Sequence, residues 1–459
     1  MRSSLHTSII GHPIIVRLLL FFKSPKFSQY FFNTVWMFAD KIVSIIVAIV
    51  VGIWVARYLG PKDFGRLNYA TSVIAFFVPF ATLGMNRVLI KEVVQSPDQR
   101  DNLLGTAFML RGISSVSSVL IILFLVINVE REPIIQQMLF IVGLGILFQP
   151  FTTLYDYFLS QVQAKYISLT NVFSKLVVAI MRVVLIVGSF NVFFFALAVL
   201  YENIIRFIGY SIGFWKNGLT FRSWRFRKST ANSLFLASLP LIFANFSYIL
   251  YQRVDQVMLQ KMLGSYAVGI FSASVRIYEP LVGLVAIIGS SLYPQFVNLY
   301  GTNQTKYWLF YEIISTIMAF IGWCLVVVMA IFGGKIIIGL FGEEYSPTAQ
   351  ILIYHMVSAT IMFTCVLRAG HINIVNANWV LMITTFSSAV LNIGLNYIFI
   401  RNIGVVGAAL ASVITQIISL IVLDLFFLPT RKLFAVSLRT FLVFPSIVNV
   451  TNKYLRKNE

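Results

Sequence analysis

The chain reads as an all-α polytopic membrane protein: about twelve transmembrane helices in two six-helix halves related by pseudo-two-fold symmetry. Three observations predict this. Hydrophobic residues make up 59% of the 459 positions and charged ones only 11%, against about 25% charged in an average soluble chain. Apolar stretches of roughly 20 residues recur along the whole length, as spanning helices require. One phrase is also written twice. Arg57-Tyr58-Leu59-Gly60 runs on to Gly65 with Tyr69-Ala70 following, and 204 residues later Lys261-Met262-Leu263-Gly264 runs on to Gly269 with Ser272-Ala273 following. A helix-end signal repeated at half length marks two structural repeats, with any binding site expected between them.

Taken in order, residues 1–30 are a basic tail (Arg2, Arg17, Lys23, Lys26). Arg17 interrupts the apolar run 13–22 and no small-residue cleavage site follows, so a signal peptide is not expected. The first half, 31–214, holds spans at about 33–56, 67–90, 104–128, 134–158, 167–188 and 192–214. A hydrophilic linker, 215–232, carries Phe221-Arg222-Ser223-Trp224-Arg225-Phe226-Arg227-Lys228, a basic and aromatic mix suited to a headgroup surface. The second half, 233–428, holds spans at about 233–257, 266–297, 308–332, 349–373, 378–400 and 404–428, and 429–459 is a basic C-tail. Gly143, Gly145, Pro79, Pro150, Pro240, Pro280 and Pro294 fall inside spans, where neighbouring helices can satisfy the freed backbone. In the repeated phrase, the Leu-Gly pair ends a helix because Gly takes a left-handed cap. The Gly five residues on lets the returning helix start close to its neighbour. Gly60, Gly65, Gly264 and Gly269 are therefore read as structural turn residues.

The net charge of +19 is explained by topology rather than by nucleic acid. With the N-terminus in the cytoplasm, inside segments hold 22 Lys and Arg and outside segments hold seven. That count assigns Arg111, Lys165 and Arg368 to inside loops. The asymmetry obeys the positive-inside rule and puts both termini in the cytoplasm. No loop is long enough for an extramembrane domain, and no G-x-x-x-x-G-K run provides a P-loop. Cys324 and Cys365 lie in apolar stretches. His355 and His371 lack metal-ligand spacing. No catalytic constellation, metal site or cofactor is expected.

Val55-Ala56-Arg57-Tyr58-Leu59-Gly60-Pro61-x-Asp63-Phe64-Gly65 resembles the first inter-helix turn of the polysaccharide-biosynthesis flippases, the Wzx-type O-antigen transporters. Arg253-Val254-Asp255-Gln256-Val257-Met258-Leu259, then Leu263-Gly264 and Val268-Gly269-Ile270-Phe271-Ser272-Ala273-Ser274, resembles them too. So does Leu391-Asn392-Ile393-Gly394-Leu395-Asn396-Tyr397, followed by Gly404-Val405-Val406-Gly407-Ala408-Ala409-Leu410-Ala411-Ser412. This last phrase is shared with the wider multidrug/oligosaccharidyl-lipid/polysaccharide exporter superfamily. The resemblance covers residues 30–430. It implies a MATE-like fold in a bacterial inner membrane, with two halves rocking about a central cavity. The implied substrate is an undecaprenyl-pyrophosphate-linked oligosaccharide repeat unit for O-antigen, capsule or exopolysaccharide. Implied partners are that lipid, the membrane, and the polymerase and chain-length regulator of the same pathway. Competing readings are a cation-coupled multidrug-type exporter and, from another class, a membrane polysaccharide polymerase.

Ionisable residues at bilayer depth each cost at least about 2.5–3.5 kcal/mol and are functional candidates. Lys175 and Arg182 lie seven residues apart on one face of span 5, which holds no acid. At about 10 Å separation they suit a pyrophosphate and an adjoining acidic sugar. The sequence equally allows pairing with Asp40 or Asp156. Lys41 and Arg253 occupy the first span of each half and complete the substrate-binding set. Asp40, Asp156, Glu202, Arg206, Asp255, Arg276 and Glu279 are candidates for ion coupling or charge pairing. Glu202 with Arg206 and Arg276 with Glu279 are spaced to pair along their own helices. Asp424 is expected to snorkel. Asn373, Asn376, Asn378, Asn392, Asn396 and Tyr397 can line a sugar path or tie helices together.

Overall fold

The computed structural model describes the backbone of residues 25–455 and the side chains of residues 32–450. The basic tail expected over 1–30 lies almost wholly outside the described residues, as do the side chains of Lys453, Arg456 and Lys457. Among the described residues all regular structure is helical. The first part comprises α1 (Pro25–Ala75), α2 (Val78–Ala81), α3 (Asn86–Gln95), α4 (Arg100–Asn128), α5 (Pro133–Leu144), α6 (Thr152–Ser160), α7 (Ala164–Val187) and α8 (Val192–Lys216). The second comprises α9 (Lys228–Leu263), α10 (Ser265–Thr302), α11 (Gln304–Phe341), α12 (Thr348–Thr364), α13 (Arg368–Ile374), α14 (Asn378–Ile403) and α15 (Val405–Leu420). Two terminal helices follow, α16 (Arg431–Phe441) and α17 (Phe444–Leu455).

Among the described residues, eleven helical runs are long and apolar enough to cross a membrane. The first, Phe32–Gln95, has 64 residues, about 96 Å at the α-helical rise and far beyond a bilayer's hydrocarbon thickness. It turns back at Gly60, where α1 is broken, and divided there it supplies two spans. The total is then the twelve expected. Span 4 is not one helix. α5 gives way to a 3-10 stretch, Gly145–Phe151, before α6 resumes, because Gly145 and Pro150 weaken the α ladder. The C-tail is not a plain basic tail either. α16 and the start of α17 form a helix pair bent by 111°, and Leu433 and Val436 of α16 are buried against Tyr307 and Tyr311 of α11.

The twice-written phrase folds the same way twice. Gly60 has φ 69° and ψ 170°, and Gly264 has φ 87° and ψ −179°. Both have the positive φ expected, but not the left-handed helical cap. An extended ψ at positive φ is a region essentially reserved for glycine. It turns the chain sharply from one helix into the next. The two returning helices then meet. A methyl group on Gly65 would lie 1.8 Å from the Ser265 carbonyl oxygen, and one on Gly269 would lie 1.8 Å from the Pro61 carbonyl oxygen. Around this crossing Ala56, Phe64, Ala70, Val268, Phe271 and Ala273 are buried in one core. Small residues let the backbones approach, as membrane interfaces require. Arg57 and Tyr345 reinforce the same end, donating to the Gly339 and Ala56 carbonyls at 3.2 and 2.7 Å.

Candidate functional site

Away from the glycine crossing, toward the linker end of the bundle, the first and second sets of helices enclose a cavity of about 830 Å³. Lys41 of α1 and Arg253 of α9 both line it, with Asp255, Tyr278, Glu279 and His355. A second chamber of about 400 Å³ lies within the first set of helices, lined by Tyr155, Asn171, Lys175, Asn203, Arg206 and Tyr210. Both chambers combine aromatic walls with cations and neutral hydrogen-bonding groups.

Lys175 pairs with Asp40 across α7 and α1, Nζ to Oδ1 at 3.2 Å, and also bonds Ser44 Oγ. Asp40 accepts a further bond from Asn171 Nδ2 at 2.9 Å, and Tyr210 donates to Asn171 Oδ1 at 2.7 Å. Span 5 therefore does not carry two unpaired bases. Arg182 differs. It is half-buried and has no ion pair within 4 Å among the described residues, although the field of Glu202 reaches it. Glu202 itself bonds Arg206 one turn along α8, as its spacing allows.

The expected pairing of Arg276 with Glu279 does not form. Glu279 Oε1 instead meets Arg253 Nη1 of α9 at 3.3 Å. Arg276 extends along α1, where its guanidinium lies 5.7 Å from the Phe64 ring centroid and its side chain fills the space left by Gly52. Cation–π contact and packing hold it there. Arg182, Arg253 and Glu279 all act electrostatically on Arg276. Arg182, Arg276, Arg253 and Lys41 thus form a cationic set drawn from both parts of the chain, with Glu279 as its neighbouring acid.

Asp255 packs rather than pairing with a base. One carboxylate oxygen accepts from Asn396 and the other from Ser412 at 2.8 Å, and Asn396 in turn donates to Asn392 at 3.0 Å. The Asn396 Oδ1 and Asn392 Nδ2 atoms are buried without partners. This cluster explains why Asn392 and Asn396 lie where they do on α14.

Three expectations are corrected by buried pairs between helices. Asp156 bonds Arg111 at 2.7 Å with both side chains fully buried, so neither lines the cavity and Arg111 is not a loop residue. Arg368, likewise assigned to a loop, makes two bonds of 2.8 and 2.7 Å to Asp424. Asp424 is therefore buried in an ion pair and does not snorkel. Of the histidines, His355 meets Ser274 Oγ at 2.6 Å and His371 meets the Tyr307 hydroxyl at 2.7 Å. The chamber residues Tyr155, Asn171, Asn203 and Tyr210 were missed in sequence, because isolated polar residues in apolar helices carry no periodic signal.

With this geometry in hand, comparison with known proteins adds three results. The family model described as polysaccharide biosynthesis protein matches residues 31–300, and that described as MatE matches residues 240–398. The capsular polysaccharide biosynthesis protein CapF of Staphylococcus aureus is 22% identical over 406 residues, covering 85% of this chain and 97% of CapF. Among solved structures, the lipid II flippase MurJ in an inward closed conformation superposes with a TM-score of 0.73 at 15% identity, covering 93% of each chain. An inward-facing MATE-family multidrug resistance transporter superposes with a TM-score of 0.65 at 16% identity, covering 90% of this chain and 95% of that one. At these identities the two structures establish a shared fold.

Proposed function

The chain belongs to the polysaccharide biosynthesis protein family, and from that we propose that it moves an undecaprenyl-pyrophosphate-linked oligosaccharide from one leaflet of a bacterial inner membrane to the other. The observation that carries this reading is the set of cations gathered from both parts of the chain. Lys41 and Arg253 line the cavity, and Arg182 and Arg276 stand without an ion pair among the described residues. Cations grouped this way along a cavity favour a polyanion such as a pyrophosphate. The hydroxyls and amides of Tyr155, Asn171, Asn203 and Tyr210 supply hydrogen bonds suited to sugars.

We assign both termini to the cytoplasm on the positive-inside asymmetry, which still stands at 20 to seven without Arg111 and Arg368; the glycine crossing then closes the outer end and the cavity is reached from inside. Transport proceeds by rocking of the two halves, 31–214 and 233–428, about that crossing. Asp255 is the coupling group. Its buried carboxylate accepts from the Asn396 amide N–H and the Ser412 hydroxyl, and it is the group in this cavity wall that a proton or sodium ion would neutralise. A buried acid on a cavity wall also suits a cation-coupled exporter, which is the second reading. The product would pass to the polymerase and chain-length regulator of its pathway.

The test is deletion of the gene in its native host, followed by extraction of lipid-linked sugars and surface glycan. The flippase reading expects single repeat units on undecaprenyl pyrophosphate to accumulate on the cytoplasmic face while surface polymer is lost. Normal glycan with altered sensitivity to cationic compounds would favour the exporter. Units that reach the outer face unpolymerised would point to a polymerase.

A further inference from the structure

The linker motif Phe221–Lys228 does not lie loosely on the surface. Arg227 donates its backbone N–H to Thr106 Oγ1 of α4 at 3.1 Å, and the Arg225 N–H reaches the Asp101 carbonyl at 3.5 Å. Gly105 is the seat of this contact, since a methyl group there would lie 2.7 Å from the Arg225 nitrogen. Folded back this way, the linker closes a pocket of about 420 Å³ walled by Phe108, Phe151, Phe207, Trp215, Phe221 and Trp224, with Arg225 on its lining. Phe151 and Phe207 line the polar chamber of Lys175 and Arg206 as well. Their rings, 4.0 Å apart between centroids, are the partition between the two spaces.

Two further features point to a ligand. Ser211, 2% exposed and on the pocket wall, has a hydroxyl with no hydrogen-bond partner, whereas a helical serine usually bonds the carbonyl one turn back. Arg222, Arg225, Arg227 and Lys228 form no ion pair within 4 Å among the described residues, and all four are exposed. An aromatic pocket with an unneutralised basic rim matches a lipid chain carrying an anionic end.

We propose that this pocket docks the head end of the lipid-linked substrate before translocation, its first isoprene units among the rings and its phosphate end against Arg225 and the Ser211 hydroxyl, one ring pair away from the chamber that would receive the sugar. This rests on the transport reading above. A stiff, methyl-branched chain suits a pocket of rigid rings better than a flexible acyl chain does, and the shared Phe151–Phe207 wall places it beside the substrate's polar path.

The test uses the full-length chain in phosphatidylcholine nanodiscs with radiolabelled undecaprenyl phosphate as the probe. Met109 lines the pocket and is 50% exposed, so Met109→Trp fills the pocket without entering the core, and Arg225→Glu reverses its rim. Each is expected to weaken binding about tenfold while the protein stays monodisperse. Phosphatidylglycerol, undecaprenol and inorganic phosphate are expected to compete poorly. Equal competition by phosphatidylglycerol would make this a general lipid contact, and equal competition by inorganic phosphate a simple anion site; either overturns the proposal, as does wild-type binding by Met109→Trp. Transport of lipid-linked sugar is read separately with the same proteins in sealed phosphatidylcholine vesicles. Pocket binding without transport would overturn the transport reading alone, and transport without pocket binding would overturn the pocket alone.

Discussion

Gly65 and Gly269 sit in reciprocal contacts, each against the backbone that opens the other's helix: Gly65 on Ser265 and Gly269 on Pro61. The offset between Gly65 and Gly269, 204 residues, is the same as between Pro61 and Ser265. The repeat legible in the sequence is therefore a physical joint, in which each copy of the phrase is the other's packing partner.

At this joint Gly65→Val and Gly269→Val are expected to cost about 1–3 kcal/mol or more through overpacking. Folded yield by size-exclusion chromatography and thermal unfolding would report it. Gly394→Ala is the control, because a methyl group there meets nothing within 4 Å, and replacing a helical glycine gains about 0.5–1 kcal/mol. Equal losses at both sites would remove the joint from the explanation.

Arg111 and Asp156 are expected to behave as a structural pair. Arg111→Met alone strands a buried carboxylate and costs about 3–5 kcal/mol, while Arg111→Met with Asp156→Leu recovers most of it. A double-mutant cycle on thermal stability checks this. Additive losses would mean that the pair is not coupled.

For transport, Arg182→Glu and Lys175→Glu are each expected to abolish movement of lipid-linked sugar, with Arg182→Glu keeping normal amounts of folded protein in the membrane. Lys175→Glu also sets two carboxylates together at Asp40, so its stability should fall, and Asp40→Lys with Lys175→Asp should restore the stability without restoring transport. Normal transport by Arg182→Glu would remove that residue from the substrate path.

Asp255→Asn is expected to fold, because an amide can still bond Asn396 and Ser412. In inverted vesicles it should lose the stimulation of transport by a proton or sodium gradient. Undiminished stimulation would place coupling elsewhere.

Glu130, in the turn between α4 and α5, pairs with Lys261 at the end of α9 at 3.0 Å. Burial pushes its carboxyl upward, but Lys261 and the Arg131 and Glu132 amides outweigh that and hold it below the usual value. A group lowered on folding stabilises the protein above its unfolded value of about 4.5, and that contribution is lost as pH falls through the lowered value. Between pH 7 and pH 4 the wild type should lose more thermal stability than Glu130→Gln. An identical loss would show that this contact contributes nothing.

The number of spans, the Gly60 and Gly264 corners and the Glu202–Arg206 pair were legible because each depends on residues close in sequence. Arg111 and Arg368 were assigned to loops because sequence charge counts cannot see a partner on another helix 45 or 56 residues away. Glu279 was assigned the wrong arginine for a related reason. Helical spacing brings Arg276 within reach, but only the packed bundle shows that Phe64 and Gly52 draw Arg276 aside and leave Arg253 to take the acid. Lys41, Lys175, Arg182 and Arg253 were picked out by depth, by spacing along span 5 and by their place in the first span of each half. Which of them share a chamber is set by how the helices pack.

The reciprocal glycine contacts also set a schedule for biogenesis. Ribosomes add about 5–20 residues per second, so on the order of 10–40 s separates the synthesis of the first phrase from that of the second. During that interval spans 2 to 6 are made and enter the bilayer while the Gly65 face stays uncovered. Until Gly269 emerges, whatever shields that face, lipid or an insertion chaperone, guards the nascent half against premature pairing with a stranger.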